Sequence, residues 1–188
     1  MFKWTTFPGI EKNGQINCLP LLDGIEKTAA VSKAAEHLQD NLHPQVKDFV
    51  RNLIAYNIIM EGIWFYSGFM VALSFRQRNL LRNFGSLVDW IVRDESLHLK
   101  FGINLILTVL EENPDIATPE FAAEIKQMIL DSVVMEEEYN KAMIPNGILG
   151  LNAEYITQYT KHMADRRLEE LGFAAHYNVP NPAKWMAA

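Results

Sequence analysis

Cysteine is all but missing from this chain. The single Cys18 excludes an intramolecular disulfide and fits a reducing compartment, the cytoplasm. No second cysteine or histidine lies beside it, which argues against a structural zinc site. Basic excess is missing too. The net charge is -6, with no basic stripe, and this argues against a nucleic-acid surface. The N-terminus carries no apolar h-region, because Lys3 and Trp4 lead into Thr, Pro and Gly; no secretory signal is expected. Internal repeats, low-complexity segments and strands of consequence are also lacking.

What remains is apolar and helical in period. Hydrophobic residues make up 49% and charged residues 21%, the composition of a globular domain. The length suits one domain with a sizeable core. One apolar run, residues 53–75, is long enough to span a membrane. It contains Asn57 and Glu61, a carboxylate at bilayer mid-depth is costly, and no second such run follows. The reading is therefore a fully buried core helix rather than a membrane span.

Turn and cap residues divide the chain. Pro8-Gly9, Asn13-Gly14 and Pro20 mark residues 1–20 as an irregular lead-in. A short helix is expected near 22–40, with Leu22, Ile25, Ala29 and Ala35 on one side, ending at Asn41 and His43-Pro44. A long helix follows over about 45–75, apolar nearly all round and hence central. The next runs over about 86–111, with Ser86 as N-cap and a stop before Asn113-Pro114. Thr118-Pro119-Glu120 opens a helix to about 143, broken by Pro145-Asn146-Gly147. A final helix covers about 152–171 and stops at Gly172. The sum is a single all-α domain over 1–188, a bundle of four long helices and a short N-terminal one. Its helical core is 45–172, and its exit segment, 173–188, is extended.

Chemistry concentrates at Glu61 and, thirty-four residues on, Glu95-x-x-His98. Positions i and i+3 share a helix face, and this face continues through Ile91, Gly102, Ile103 and Ile106, so it is expected to point inward. A buried carboxylate and imidazole need a partner, and a metal ion would serve both. Half of a carboxylate-bridged dimetal site is one Glu plus one Glu-x-x-His on the neighbouring helix. Glu-x-x-His alone is a weak signal, since chance gives roughly 0.4 matches in a chain of this composition. The plain alternative is a salt-bridged face in which Arg93 pairs with Asp94 or Glu95. Context favours the metal: Glu61 is the only charged residue between Arg51 and Arg76. Three adjacent acids, Glu136, Glu137 and Glu138, are read as a solvated face.

Two stretches carry a family resemblance. Met60-Glu61-Gly62-Ile63-Trp64-Phe65-Tyr66-Ser67-Gly68-Phe69 and Arg93-Asp94-Glu95-Ser96-Leu97-His98-Leu99-Lys100-Phe101-Gly102 closely resemble the small, radical-generating subunit of class I ribonucleotide reductase. Asp165-Arg166-Arg167-Leu168, Leu171-Gly172 and Tyr177-Asn178 with Asn181-Pro182 look like that family's later helix and its exit. The similarity covers roughly 45–188 and implies a ferritin-like bundle, in part. It implies Glu61, Glu95 and His98 as metal ligands, Phe65, Phe69 and Ile91 as pocket lining, and Asp94 as a carboxylate that orients a ligand histidine and joins radical transfer. By spacing alone Phe65 and Phe69 would be core packing, and Asp94 a surface partner of Arg93.

The implied cofactor is a dinuclear iron or a manganese–iron centre; Phe101-Gly102-Ile103-Asn104 is similar to the manganese–iron branch. The implied partners are the large catalytic subunit and a second copy, as a homodimer. Against the family's pattern the chain is about half the usual length. The other half of the ligand set, the radical-bearing position and the docking tail have no counterpart here. That set would come from a missing N-terminal half or from a second copy of the chain. Two other readings stay open: a ferritin-like dimetal oxidase assembled as a homodimer, and a non-enzymatic helical interaction domain in which Glu61 and His98 are buried polar pairs.

Overall fold

The computed structural model of the chain describes residues 43–186. The lead-in expected at 1–20 and the short helix expected at 22–40 lie outside the described residues. Four long helices make up the fold, and no strand occurs among the described residues. Helix α1 is His43–Gln77, α-helical at both ends and π-helical over Ile54–Trp64. Helix α2 is Arg82–Glu112, α3 is Pro119–Met143 and α4 is Ala153–Glu170. The exit segment is irregular and closes in a single 3-10 turn, Lys184–Met186, where only extended chain was expected.

Local chemistry explains the ends. Thr118 caps α3 by accepting from the Phe121 N–H at 3.2 Å, with Pro119 in the first turn. Asn152 does the same for α4 through the Tyr155 N–H at 2.8 Å. Gly172, at φ +87°, follows α4 in the left-handed conformation that suits glycine. The start of α2 differs from expectation. Ser86 lies inside the helix, where its hydroxyl donates to the Arg82 carbonyl at 3.2 Å. The helix begins instead after Leu81, at φ 44°, with no side-chain cap. Arg82, Asn83 and Phe84 all tolerate helix, and two tertiary contacts favour the earlier start. Gly85 packs on the Arg76 side chain, and Arg76 pairs with Asp89 across the turn.

Helix α1 packs against α2, α3 and α4. Val50, Ile54, Ile58 and Ile63 interlock with Ile106 and Ile129 in one core cluster. Each fully buried Ile is worth roughly 1.5–3 kcal/mol. A second cluster joins Tyr66 and Met70 to Ile156, Tyr159 and Met163. The apolar run is not buried all round, however. Phe49, Tyr56 and Phe65 are exposed, and half of the most apolar window of α1 is buried. The three helices that pack on α1 cover one side of it and leave the other open.

Candidate metal centre

The π-helical stretch of α1 carries Glu61. Here the Phe65 N–H reaches back to the Met60 carbonyl, a wider loop than in an α-helix, and such stretches are frequent at functional sites. Its exit is pinned by Trp64, whose indole N–H donates to the Ser132 carbonyl of α3 at 3.1 Å. Gly62 lets α2 and α4 approach: a Cβ there would stand 2.9 Å from Leu99 Cδ1 and 3.1 Å from Arg167 Nε.

Tertiary packing brings Glu61, Glu95 and His98 together, with donor atoms within 4.8 Å of one another. His98 Nδ1 lies 3.3 Å from Glu95 Oε2. Burial pushes the Glu61 carboxyl above its usual range. The negative charge of Glu95 adds to that, and His98 opposes it. Glu61 Oε2 is buried without a hydrogen-bond partner among the described residues. An orphaned carboxylate oxygen beside a second carboxylate and an imidazole is a donor set that suits iron, manganese or zinc, so these residues fit a cation.

The face is less inward than expected. Gly102, Ile103 and Ile106 are buried, Glu95 is half-buried, and the His98 side chain is 60% exposed. The buried stripe of α2 runs through Val88, Leu99, Gly102 and Ile106, which puts His98 at its rim. Arg93 forms no ion pair among the described residues, so the salt-bridged face does not form. The buried Glu61–His98 pair fails as well, because the imidazole is at the surface.

Phe65, Phe69 and Ile91 line one cavity of about 710 Å³ together with Glu95. The two phenyl rings meet edge to face at 6.3 Å. Asp94 is exposed, lies outside this cavity and makes no hydrogen bond among the described residues.

Two residues escaped the sequence reading. Glu136, taken as part of a solvated run, is only 6% exposed and lines the same cavity as Glu95. Burial raises its carboxyl above the usual range, and the Ser67 hydroxyl pulls it partly back. The signal was in the sequence. Ile125, Ile129, Ser132, Glu136 and Asn140 recur at helical spacing on the buried stripe of α3. Of its neighbours, Glu137 binds Lys141 at 2.8 Å and Lys161 at 3.7 Å, and Glu138 is exposed. The other residue is Arg167, 2% exposed, whose Nε donates to the Gly62 carbonyl at 2.9 Å.

Known proteins agree with this architecture. The family model for the ribonucleotide reductase small chain matches residues 17–182. The ribonucleoside-diphosphate reductase subunit beta of Chlamydia pneumoniae is 47% identical over 139 residues, covering 74% of this chain and 40% of that protein. The small chain of Vaccinia virus (strain Ankara) is 31% identical over 166 residues, covering 88% of this chain and 49% of the other. The solved R2 subunit of ribonucleotide reductase from Clostridium botulinum superposes with a TM-score of 0.72 at 30% identity, over 87% of this chain and 52% of that one. The chain spans about half the length of the curated relatives it matches. With the helices, the Glu61/Glu95/His98 cluster and a match over 17–182 in agreement, the chain belongs to the ribonucleotide reductase small-chain family.

Proposed function

We propose that this chain contributes half of a dimetal carboxylate site that activates oxygen and generates the radical used in reducing ribonucleotides to deoxyribonucleotides. The observation that carries this reading is the convergence of Glu61, Glu95 and His98, with one buried Glu61 oxygen unpartnered among the described residues. Glu61 and Glu95 would supply anionic oxygens and His98 a neutral nitrogen, a set for iron or for manganese with iron. When bound, the metals supply the one-electron chemistry with oxygen that no side chain here can perform. Phe65, Phe69 and Ile91 keep the adjoining space apolar, which limits side reactions with water. Asp94 would orient a ligand histidine and join radical transfer, in the cytoplasm and toward the large catalytic subunit. Three ligands are too few for two metals, so a second set has to come from further chain or from a second copy in a homodimer.

A second reading has one observation behind it. The cavity beside Glu95 is spacious and largely apolar, as a ferritin-like oxidase acting on an apolar molecule would need. Metal-dependent oxygen uptake by this chain alone would favour it.

The test is metal per chain on the size-exclusion peak after anaerobic loading with Fe(II) or Mn(II). About one metal per chain in a dimeric peak is expected if two half-sites join, with loss in Glu61→Ala and His98→Ala. Equal metal content in those variants would end the assignment of these ligands.

A further inference from the structure

Asn140 of α3 and Thr157 of α4 are 0% and 1% exposed. Both ends of the Asn140 amide and the Thr157 hydroxyl are buried without a hydrogen-bond partner among the described residues. Such orphans are rare in native interiors, where nearly all buried polar atoms are paired with protein or with ordered water. The register of the two helices brings this pair together. Glu137 of α3 lies 3.7 Å from Lys161 of α4. Ser67 of α1 meets Glu136 on one side and stands 3.1 Å from the Thr160 hydroxyl on the other. One turn toward the link between the helices, α3 has reached Asn140 and α4 has come back to Thr157. Beyond them Ile144 and Ile156 share an apolar cluster with Met70 of α1. The two side chains therefore occupy one level between α3 and α4, with hydroxyls and an ion pair on one side and isoleucines on the other.

The atoms on offer decide what can bridge them. Asn140 brings a donor and an acceptor, and the Thr157 hydroxyl serves as either. A cation would leave the amide N–H groups unserved, and an anion would leave the carbonyl unserved. Water donates and accepts alike, and a buried water typically makes about three hydrogen bonds.

We propose that Asn140 and Thr157 form a binding site for one internal water molecule, which locks α3 against α4. The water accepts from the Asn140 amide, donates to its carbonyl and shares a hydrogen bond with the Thr157 hydroxyl. Glu136 and Met143, one turn to either side of Asn140 along α3, line the cavity beside Glu95. The bridge thus sets where that wall of the cavity stands. Nothing in it depends on a metal being bound.

NMR of the full ¹⁵N-labelled chain tests this directly. A rotating-frame Overhauser contact is expected between water and the side-chain amide protons of Asn140, with the sign of a dipolar contact rather than of proton exchange. It should be lost in Thr157→Val, which keeps the amide and removes the water's second anchor. Melting temperatures give an independent check. Asn140→Leu and Thr157→Val each leave the other group unpaired, whereas the double variant makes the site apolar throughout. The double variant should therefore melt above Asn140→Leu alone. No water contact at Asn140 in the parent, or one unchanged in Thr157→Val, overturns the proposal. So does a contact from the Asn140 amide to a side chain of residues 1–42 in place of water, or melting losses that simply add in the double variant.

Discussion

Arg167 of α4 donates from Nε to the carbonyl of Gly62, at 2.9 Å and one residue past Glu61. Its Nη1 binds Glu170 at 2.6 Å, and its guanidinium lies 5.6 Å from the centre of the Tyr66 ring. One buried cation therefore ties α4 to the π-helical stretch that presents a metal ligand. Replacing Arg167 by Met would leave the Gly62 carbonyl without its charged donor. A loss of about 2–3 kcal/mol is expected, read from urea denaturation midpoints. Lys at this position would not restore it, since an ammonium cannot reproduce the planar fork. Full stability in Arg167→Met would show that the contact is incidental.

Stability should depend on pH through Glu136. Burial raises its folded-state value above the ordinary one of about 4.3. The folded chain then holds this proton more tightly than the unfolded chain does. Its contribution is present below the unfolded value and is lost as pH rises through the raised one. Denaturation midpoints compared from about pH 4 to about pH 8 should show the parent losing stability relative to Glu136→Gln. Parallel curves would mean that Glu136 ionises normally in the folded chain.

Two glycines should respond in opposite ways to alanine. A Cβ on Gly102 would overlap Cβ and Cγ of Asn57, where α2 crosses α1. Overpacking at such a rigid crossing costs typically about 1–3 kcal/mol, so Gly102→Ala should lower the melting temperature. Gly68 meets nothing within 4 Å of a built Cβ. Inside a helix, Ala gains about 0.5–1 kcal/mol over Gly, so Gly68→Ala should raise the melting temperature of this chain.

One carboxylate gathers three N–H groups of the exit segment. Asp165 accepts from the N–H groups of His176 and Asn178, each at 2.7 Å, and of Tyr177 at 2.9 Å. Asp165→Asn would turn a donor toward donors and remove the charge that strengthens these bonds. Faster proteolysis within residues 173–183, with the four long helices retained by circular dichroism, is the expected result. Unchanged cleavage would mean that Tyr155, which donates to the Pro182 carbonyl at 2.7 Å, and His162, whose Nδ1 lies 3.1 Å from the Val179 carbonyl, hold the segment without it.

Periodicity, caps and breakers were enough to read the helices from the sequence. Thr118-Pro119 and Asn152 start helices wherever they stand, because their side chains satisfy N–H groups two or three residues on. The pairing of Glu61 with Glu95-x-x-His98 was legible too, since an isolated acid in an apolar run and an i, i+3 motif are local patterns. Ser86 misled because its hydroxyl serves a cap or a mid-helix back-bond equally well. The contacts that favour the earlier start, Gly85 on Arg76 and Arg76 with Asp89, are tertiary.

By itself the sequence determined the helical class and most boundaries, because these follow from spacing along one chain, while the family and the three candidate ligands came from the resemblance of whole residue stretches around Glu61 and Glu95. Tertiary structure alone decided which groups lose their water. It turned Glu136 into the cavity while Glu138 faces solvent, buried Arg167 against Gly62, and left His98 at the rim. Burial depends on which helix covers which face, and that is settled by residues far apart in the chain.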